Sequence, residues 1–247
     1  MQKLAFEILP ADHTPRLGLV VLQSDLTVED ELRYYYEGLH VSLLASRIPF
    51  AAAVTVESLK TMEGHLVKSM SLFPPEAQFD CVGYGCTSAS LHIGSAKVAA
   101  LCQSARPCAY ATNPMQAAVS AMRHIKIGRL AFIAPYSPDV SQSMVDELER
   151  SGLEVVVAAT FNEPEDRIVG RIMPQSIKTA CLELVKNQTV DAIFVACTSM
   201  KCARIIPEIE QEAGVVMLSS NQVLAWDMAR LSGIDGEIRG KGRLFEA

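Results

Sequence analysis

The chain has 247 residues, of which 49% are hydrophobic and 20% charged, with a formal net charge of −6 and a pI near 5.4. This length allows one large domain or two domains of about 120 residues each. The acidic balance and the lack of a basic run argue against nucleic acid or an anionic membrane as a partner, and no apolar run reaches the ~18 residues of a membrane span.

The N-terminal segment and the cysteines indicate the cellular compartment. The N-terminal segment MQKLAFEILPADHTPR has acidic residues and a proline where a signal peptide needs an apolar core, so we expect a cytoplasmic protein. Seven cysteines without the spacing of a disulfide framework predict reduced thiols. Cys197 and Cys202 lie close together but lack the second pair that a zinc site needs, and we therefore predict no metal site.

In the first half of the chain, apolar runs alternate with helical patterns. The run LGLVVL predicts a buried strand that ends in Gln23-Ser24-Asp25, and Thr27 is the expected N-cap of the helix that follows. The remaining elements predicted for this half are a strand at 41–45, a helix from Thr55 to the Pro74-Pro75 stop, a strand leading to Cys86, a helix at 93–102, a strand at 109–111 and a helix from 114 to 122.

The second half predicts the same order of elements. They are strands at 129–134 and 153–159, a strand leading to Cys197, a strand at 215–218, and helices at 140–150, between 174 and 187, at 203–212 and through Leu231. The segment FNEPEDR between the second strand and the next helix is predicted to be a polar loop.

One stretch is repeated and explains this order. FDCVGYGCTSAS in the first half recurs as VDAIFVACTSM, with Cys197 lying 111 residues after Cys86 and Tyr136 111 residues after Asp25. A tandem repeat of this kind predicts an α/β fold with two pseudo-symmetric lobes, each a parallel sheet flanked by helices. We divide the chain into a first lobe at 1–112, a second lobe at 113–219 and a C-terminal helix and tail at 220–247 that return to the first lobe. The functional cleft is expected between the lobes, at the carboxyl ends of the strands.

The two repeated cysteines are the candidate catalytic groups. Thr87-Ser88 and Thr198-Ser199, which we expect at helix entrances, could lower the pKa of the thiols and hold a substrate carboxylate. Two opposed thiols can exchange a proton on the two faces of a carbon next to a carboxylate, without a cofactor. The same pair could instead add a thiolate to an activated alkene, allow rotation and eliminate.

The motifs YGCTSAS, IAPY, ACTSM and GRLF resemble those of the aspartate/glutamate racemase superfamily. The similarity is greatest to the branch that holds maleate cis-trans isomerase, arylmalonate decarboxylase and the racemase-like protein of ectoine utilisation, and VVLQSDLTVEDELR and SSNQVLAWDM look most like the last of these. The resemblance implies an active site between the lobes with Cys86 and Cys197 as catalytic residues and Tyr136 as a ligand of a substrate carboxylate. It also implies a homo-oligomer, and because decarboxylases have glycine at the first cysteine, Cys86 argues against decarboxylation.

The same resemblance identifies further substrate-binding candidates and one departure. Asp25 stands where maleate isomerases have a carboxylate-binding asparagine, and an anionic side chain there would suit an ammonium or an amide better than a second carboxylate. Asn162 and Asp166 lie in the loop that carries another substrate-contacting asparagine.

The sequence therefore predicts a cofactor-independent isomerase of a small carboxylate. Our main interpretation is a racemase or epimerase of an amino-acid-derived acid. The alternatives are a maleate-type cis-trans isomerase that forms a covalent adduct at Cys86, and a decarboxylase-like or non-catalytic metabolite-binding protein.

Overall fold

The computed structural model describes residues 1, 3–8, 14–49, 56–234, 236 and 238–247. These residues form two four-stranded parallel sheets flanked by helices, which confirms the predicted fold class. The first sheet has the order β2-β1-β3-β4 and the second the order β6-β5-β7-β8. The strands are β1 (Arg16–Leu22), β2 (Ser42–Ile48), β3 (Phe79–Gly85), β4 (Cys108–Thr112), β5 (Arg129–Ala134), β6 (Glu154–Thr160), β7 (Ala192–Val195) and β8 (Val216–Ser219).

The helices alternate with the strands along both halves. They are α1 (Val28–Tyr35), α2 (Val56–Met70), α3 (Thr87–Ile93), α4 (Ser95–Ala105), α5 (Pro114–His124), α6 (Pro138–Arg150), α7 (Asp166–Val169), α8 (Pro174–Val185), α9 (Ile206–Ala213) and α10 (Ser220–Leu231), followed by a 3-10 helix at Arg243–Glu246. The predicted start of α2 at Thr55 lies outside the described residues.

The predicted helix at 93–102 is wrong in its start. The structure has α3 and α4 in its place, separated by Gly94, whose φ of 89° ends α3. Helix α3 has no apolar periodicity, because its first four residues are small or polar and are buried by packing. The short helix α7 also begins within the segment that we predicted to be a loop.

Each central strand is buried on both faces, as the apolar runs predict. In β1, Leu17, Leu19 and Val21 pack toward α1 and α10, whereas Val20 and Leu22 pack into the core on the other face of the sheet. This alternation follows from the two-residue period of a strand. The first sheet is thus covered by helices on both sides.

Helix α10 follows the second sheet but packs on the first. It contacts β3 at Gly83, where an added Cβ would lie 2.5 Å from the Met228 Sδ atom. Glycine at this position lets the helix approach the strand closely. Because α10 packs on the first sheet, we propose that the chain divides into a first lobe at 1–112, a second lobe at 113–219 and a C-terminal helix and tail at 220–247.

The parallel strands of each sheet direct their carboxyl ends to one edge. Strand β3 leads into Cys86 and the equivalent strand β7 leads toward Cys197. Within the part of the chain that the structure describes, no helix combines the length and the hydrophobicity needed to cross a membrane.

Candidate active site

Cys86 and Cys197 follow equivalent strands, and both thiols are buried, with 3% and 4% of their residue surfaces exposed. Cys86 is the N-cap residue of α3, whereas Thr198 and Ser199 lie in a turn. The expectation of a helix entrance is therefore confirmed for the first motif and wrong for the second. The Thr198 hydroxyl donates to the carbonyl of Gly85 at 3.4 Å, so the turn after the second thiol contacts the strand that carries the first.

A hydroxyl bridge joins the two cysteine segments. The Thr87 hydroxyl donates to Ser220 Oγ at 2.8 Å, and the backbone N–H of Cys197 donates to the same oxygen at 3.0 Å. Ser220 opens α10 and is fully buried. Sequence reasoning missed this residue, although it stands in the polar SSN segment directly after the last strand, where a ligand-binding loop of an α/β protein is expected.

Tyr136 lies between the two thiols. It is buried, and burial raises the pKa of its hydroxyl well above the usual range, with further increases from the nearby Cys197 and Cys86. The hydroxyl is in hydrogen-bonding contact with the Cys197 thiol and the Ser88 hydroxyl. Ser88 Oγ is also 3.8 Å from the Sγ atom of Cys86. The structure thus brings these four predicted residues together.

Burial favours the protonated form of both thiols. Burial raises the pKa of Cys86 to about 12, and it raises the pKa of Cys197 above the usual range as well. One backbone N–H opposes this effect at each thiol, from Ala89 at Cys86 and from Ser199 at Cys197. The two thiols therefore have similar surroundings, and each can supply a proton.

Asp25 is buried beside these thiols, with 1% of its surface exposed. Its Oδ1 atom accepts hydrogen bonds from the N–H groups of Thr27 at 2.7 Å and of Val28 at 2.9 Å, and so caps α1. The expected side-chain cap from Thr27 is wrong, because the Thr27 hydroxyl donates instead to the carbonyl of Ser199 at 3.1 Å. Burial raises the pKa of Asp25 above its ordinary value, although the capped N–H groups and the nearby Thr198 hydroxyl lower it.

Asp166 is a second buried carboxylate, held by one serine from each half of the chain. Its Oδ2 accepts from the Ser24 hydroxyl at 2.5 Å and its Oδ1 accepts from the Ser199 hydroxyl at 2.7 Å. The negative charge of Asp166 contributes to the raised pKa of Asp25 and of both cysteines. The predicted partner in this loop, Asn162, has an exposed side chain and a left-handed backbone with φ of 50°, so it is not part of the buried group.

A third buried acid, Glu31, joins α1 to the segment after Cys197. Its Oε1 accepts from the N–H of Ala203 at 2.8 Å and its Oε2 accepts from Asn221 Nδ2 at 2.8 Å. The same Asn221 nitrogen donates to the carbonyl of Thr198 at 2.9 Å. Burial raises the pKa of Glu31 to about 7. Sequence reasoning missed Glu31, since nothing in the local pattern marks it as buried.

Three further residues that could be considered for a site have structural positions. Asn113 caps α5, because its side chain accepts from the N–H of Gln116 at 3.1 Å. His92 is exposed at the end of α3. Trp226 packs against His124, with ring centroids 5.2 Å apart. Among the described residues, no group of three or more His, Cys, Asp or Glu could hold a metal ion.

The fold and this site define a class of protein: two repeated α/β units whose buried thiols meet with hydroxyl groups at the carboxyl ends of their sheets. The sequence profile described as arylmalonate decarboxylase matches residues 76–245, and the chain belongs to this family. The predicted resemblance to the maleate isomerase and arylmalonate decarboxylase branch is therefore confirmed, whereas a particular closeness to the ectoine-utilisation members stays a prediction.

The curated relatives are similar over most of the chain. The chain is 24% identical over 222 residues to a maleate isomerase of Geobacillus stearothermophilus, covering 83% of this chain and 86% of the relative. It is 27% identical over 167 residues to arylmalonate decarboxylase of Bordetella bronchiseptica, covering 65% and 68%. The maleate isomerases among these relatives support the predicted enzyme class, an isomerase.

Solved structures show the same fold. A cysteine-to-serine mutant of Nocardia farcinica maleate cis-trans isomerase with a covalently bound succinylcysteine intermediate superposes with a TM-score of 0.84 at 24% identity, covering 94% of this chain and 98% of that one. A liganded double mutant of arylmalonate decarboxylase gives a TM-score of 0.82 at 23% identity, covering 94% and 99%.

Proposed function

We propose that the chain is a cofactor-independent isomerase of a small carboxylate that uses Cys86 and Cys197 as its reacting groups. The observation that carries this proposal is the pair of buried thiols with similar surroundings, one after each equivalent strand, with the Tyr136 hydroxyl between them. A buried thiol without a reaction to perform needs no such partner in the other half of the molecule.

The relatives favour a cis-trans isomerisation of the maleate type. In this reaction Cys86 first releases its thiol proton to solvent, its sulfur then forms a bond to one alkene carbon as the π bond breaks, and the thiol proton of Cys197 passes to the neighbouring carbon. The former double bond is now single and can rotate. Return of that proton to Cys197 and cleavage of the carbon–sulfur bond then release the trans alkene and regenerate both groups.

The hydroxyl and N–H groups give this reaction its carboxylate-binding elements. We assign the Tyr136 and Ser88 hydroxyls to the carboxylate that becomes an enediolate-like anion when the thiolate adds, since both lie at the thiols. Thr87 positions Cys197 through Ser220. Thr198 positions the end of the first cysteine strand at Gly85, and Ser199 positions Asp166.

A second candidate reaction is racemisation or epimerisation at a carbon next to a carboxylate. The specific observation in its favour is the similarity of the surroundings of the two thiols. For one enantiomer, one cysteine acts as the base and the other as the acid, and for the opposite enantiomer these roles are exchanged. Two similar thiols can serve in both roles. This reaction exchanges solvent hydrogen at that carbon without a covalent adduct, which separates it from the first.

We also propose that the enzyme acts in the cytoplasm as a homo-oligomer. The seven cysteines of the chain are all unpaired, as a reducing compartment would keep them.

The test is intact-protein mass spectrometry together with proton NMR in deuterated buffer. With maleate or an amino-alkenoate as the alkene, the Cys197→Ser variant, whose hydroxyl can supply a proton but is a weak base, should accumulate an adduct that the Cys86→Ala variant cannot form, and the wild type should release the trans alkene. With amino acids, the wild type should incorporate deuterium next to the carboxylate if the second candidate is correct. Cys108→Ala is the matched control, since this half-buried cysteine lies outside the site and should keep wild-type behaviour. Conversion that persists in both Cys86→Ala and Cys197→Ala would exclude both candidate reactions.

A further inference from the structure

One oxygen of Asp25 has no hydrogen-bond partner among the residues that the structure describes, although Asp25 is almost completely buried. The Oδ1 atom caps α1, but Oδ2 is buried and accepts nothing from the described residues. The Thr198 hydroxyl lies near Asp25, but its single proton is directed at the carbonyl of Gly85. A buried carboxylate oxygen left without a donor is unfavourable by several times the free energy of an ordinary hydrogen bond, and such groups are rare in folded proteins.

The unpaired oxygen belongs to the site of the two thiols. The charge of Asp25 contributes to the raised pKa of both Cys86 and Cys197, so the carboxylate lies close to both. Asp166 contributes to the raised pKa of Asp25, and Asp25 contributes to the raised pKa of Glu31, so both acids lie near Asp25. These acids therefore add to the negative charge of the site.

The neighbouring cation does not neutralise this charge. Arg47 donates to the backbone carbonyls of Leu22 and Asp25 and pairs with Glu29 at 3.1 Å on the outer side of the loop. Among the described residues, the principal influences on the pKa of Asp25 are burial, the N–H groups of Thr27 and Val28, the nearby Thr198 hydroxyl and Asp166, and none of them is a lysine, arginine or histidine. The carboxylate thus lacks a cationic side chain at the position where its free oxygen lies.

We infer that the substrate carries a positively charged nitrogen, such as an ammonium group, in addition to its carboxylate, and that Asp25 binds this nitrogen through Oδ2. The inference rests on the proposed function of the site. The Tyr136 and Ser88 hydroxyls hold the carboxylate end and Asp25 holds the ammonium end, so the substrate class is a small amino-carboxylate. An ammonium is a compact positive charge with N–H donors, so it can pair with the one free oxygen of this carboxyl group.

The capping role of Asp25 does not account for its charge. An asparagine at this position would offer the same Oδ1 acceptor to the N–H groups of Thr27 and Val28, and it is an equally good cap. The asparagine would also avoid the desolvation of a buried carboxylate. A bound cation would favour the ionised form of this buried carboxyl group, and the same form would repel a second carboxylate.

Two small molecules with the same carbon spacer test the inference. In 4-aminobutyrate the carboxylate is opposed by an ammonium, and in glutarate it is opposed by a second carboxylate. Isothermal titration calorimetry at neutral pH should show the wild type binding 4-aminobutyrate at least about tenfold more tightly than glutarate, as expected for a charge-assisted hydrogen bond. 4-Hydroxybutyrate, which keeps the carboxylate but has an uncharged hydroxyl at its other end, should bind with an affinity between those of the other two probes.

The variant Asp25→Asn keeps the helix cap and removes the charge. It should lose the preference for 4-aminobutyrate, whereas the matched control Asp30→Asn, an exposed acid in the same helical turn, should keep it. A wild type that binds glutarate as well as 4-aminobutyrate, that fails to bind 4-aminobutyrate at millimolar concentration, or whose preference persists in Asp25→Asn, would overturn the inference.

The binding experiment is independent of turnover. It can be repeated in the Cys86→Ala variant, which lacks the proposed nucleophile but keeps Asp25. A charge preference without any isomerisation would refute the proposed reaction alone, and isomerisation without a charge preference would refute the assignment of Asp25 alone. Because the wild type can be tested with all three probes, the inference remains testable even if Asp25→Asn does not fold.

Discussion

Glu31 is expected to make the stability of the protein depend on pH in a way that a single substitution removes. The side chain is 6% exposed and links α1 to Ala203 and Asn221, and burial raises its pKa from the ordinary value of 4.5 to about 7. In Glu31→Gln the side chain keeps its size and cannot ionise. The glutamine has one acceptor oxygen for the two donors, the Ala203 N–H and Asn221 Nδ2, so it loses one of these hydrogen bonds at every pH and this cost does not change the pH dependence.

The sign and size of the effect follow from the raised pKa of Glu31. The protonated acid is favoured in the folded state, so its contribution to stability is complete below pH 4.5 and is lost as the pH rises through about 7. A change of one in a pKa corresponds to about 1.4 kcal/mol, and the rise from 4.5 to about 7 therefore corresponds to about 3 kcal/mol. Glu31→Gln should lack this loss, so it gains stability relative to the wild type as the pH rises.

Urea unfolding of both proteins at several pH values measures this difference. Between about pH 5 and pH 8, the free energy of unfolding of the wild type should fall relative to that of Glu31→Gln by about 2 to 3 kcal/mol. Glu37→Gln is the control, because this glutamate is exposed and its replacement should leave the pH dependence of stability the same as in the wild type. Parallel pH profiles for the wild type and Glu31→Gln would refute the assignment of a raised pKa to Glu31.

Three further outcomes are expected at the site. Ser220→Ala removes the acceptor shared by the Thr87 hydroxyl and the Cys197 N–H. Because both donors are buried, the free energy of unfolding in urea should fall by about 1 to 3 kcal/mol. An unchanged unfolding midpoint would contradict the hydroxyl bridge. Tyr136→Phe keeps the ring but removes the hydroxyl between the thiols, and kcat/KM for the identified substrate should fall by about 100-fold or more, whereas a change of less than about threefold would remove the hydroxyl from the reaction. Iodoacetamide should alkylate Cys86 more slowly at pH 7 than it alkylates free cysteine, with a rate that still rises at pH 9, because burial raises the pKa of this thiol to about 12; a plateau below pH 8 would show a lower pKa.

The strands and the paired thiols are the parts of the structure that sequence reasoning predicts best. Strands such as β1 and β5 are short apolar runs bounded by polar residues, and burial on both faces follows directly from that composition. The repeat then places Cys86 and Cys197 at equivalent strand ends without any knowledge of side-chain contacts. Local pattern and chain repetition are sufficient for this much.

The features that were missed depend on contacts between distant residues. Helix α3 lacks an apolar face, so periodicity could not place its start at Thr87. Ser220 and Glu31 act through partners far away in the chain, which a local pattern does not reveal. The exposure of Asn162 likewise depends on how the loop after β6 turns, and its left-handed backbone is not encoded by hydrophobicity.

The central claim is that one reaction needs both thiols, and a comparison of single and double cysteine variants tests it most directly. Wild type, Cys86→Ala, Cys197→Ala and the double variant should be incubated in deuterated buffer with amino acids, amino-alkenoates and maleate, and conversion and deuterium incorporation followed by NMR. The paired-thiol account predicts that each single variant loses about as much turnover as the double variant, because the groups act as a unit. Turnover close to that of the wild type in either single variant would contradict it.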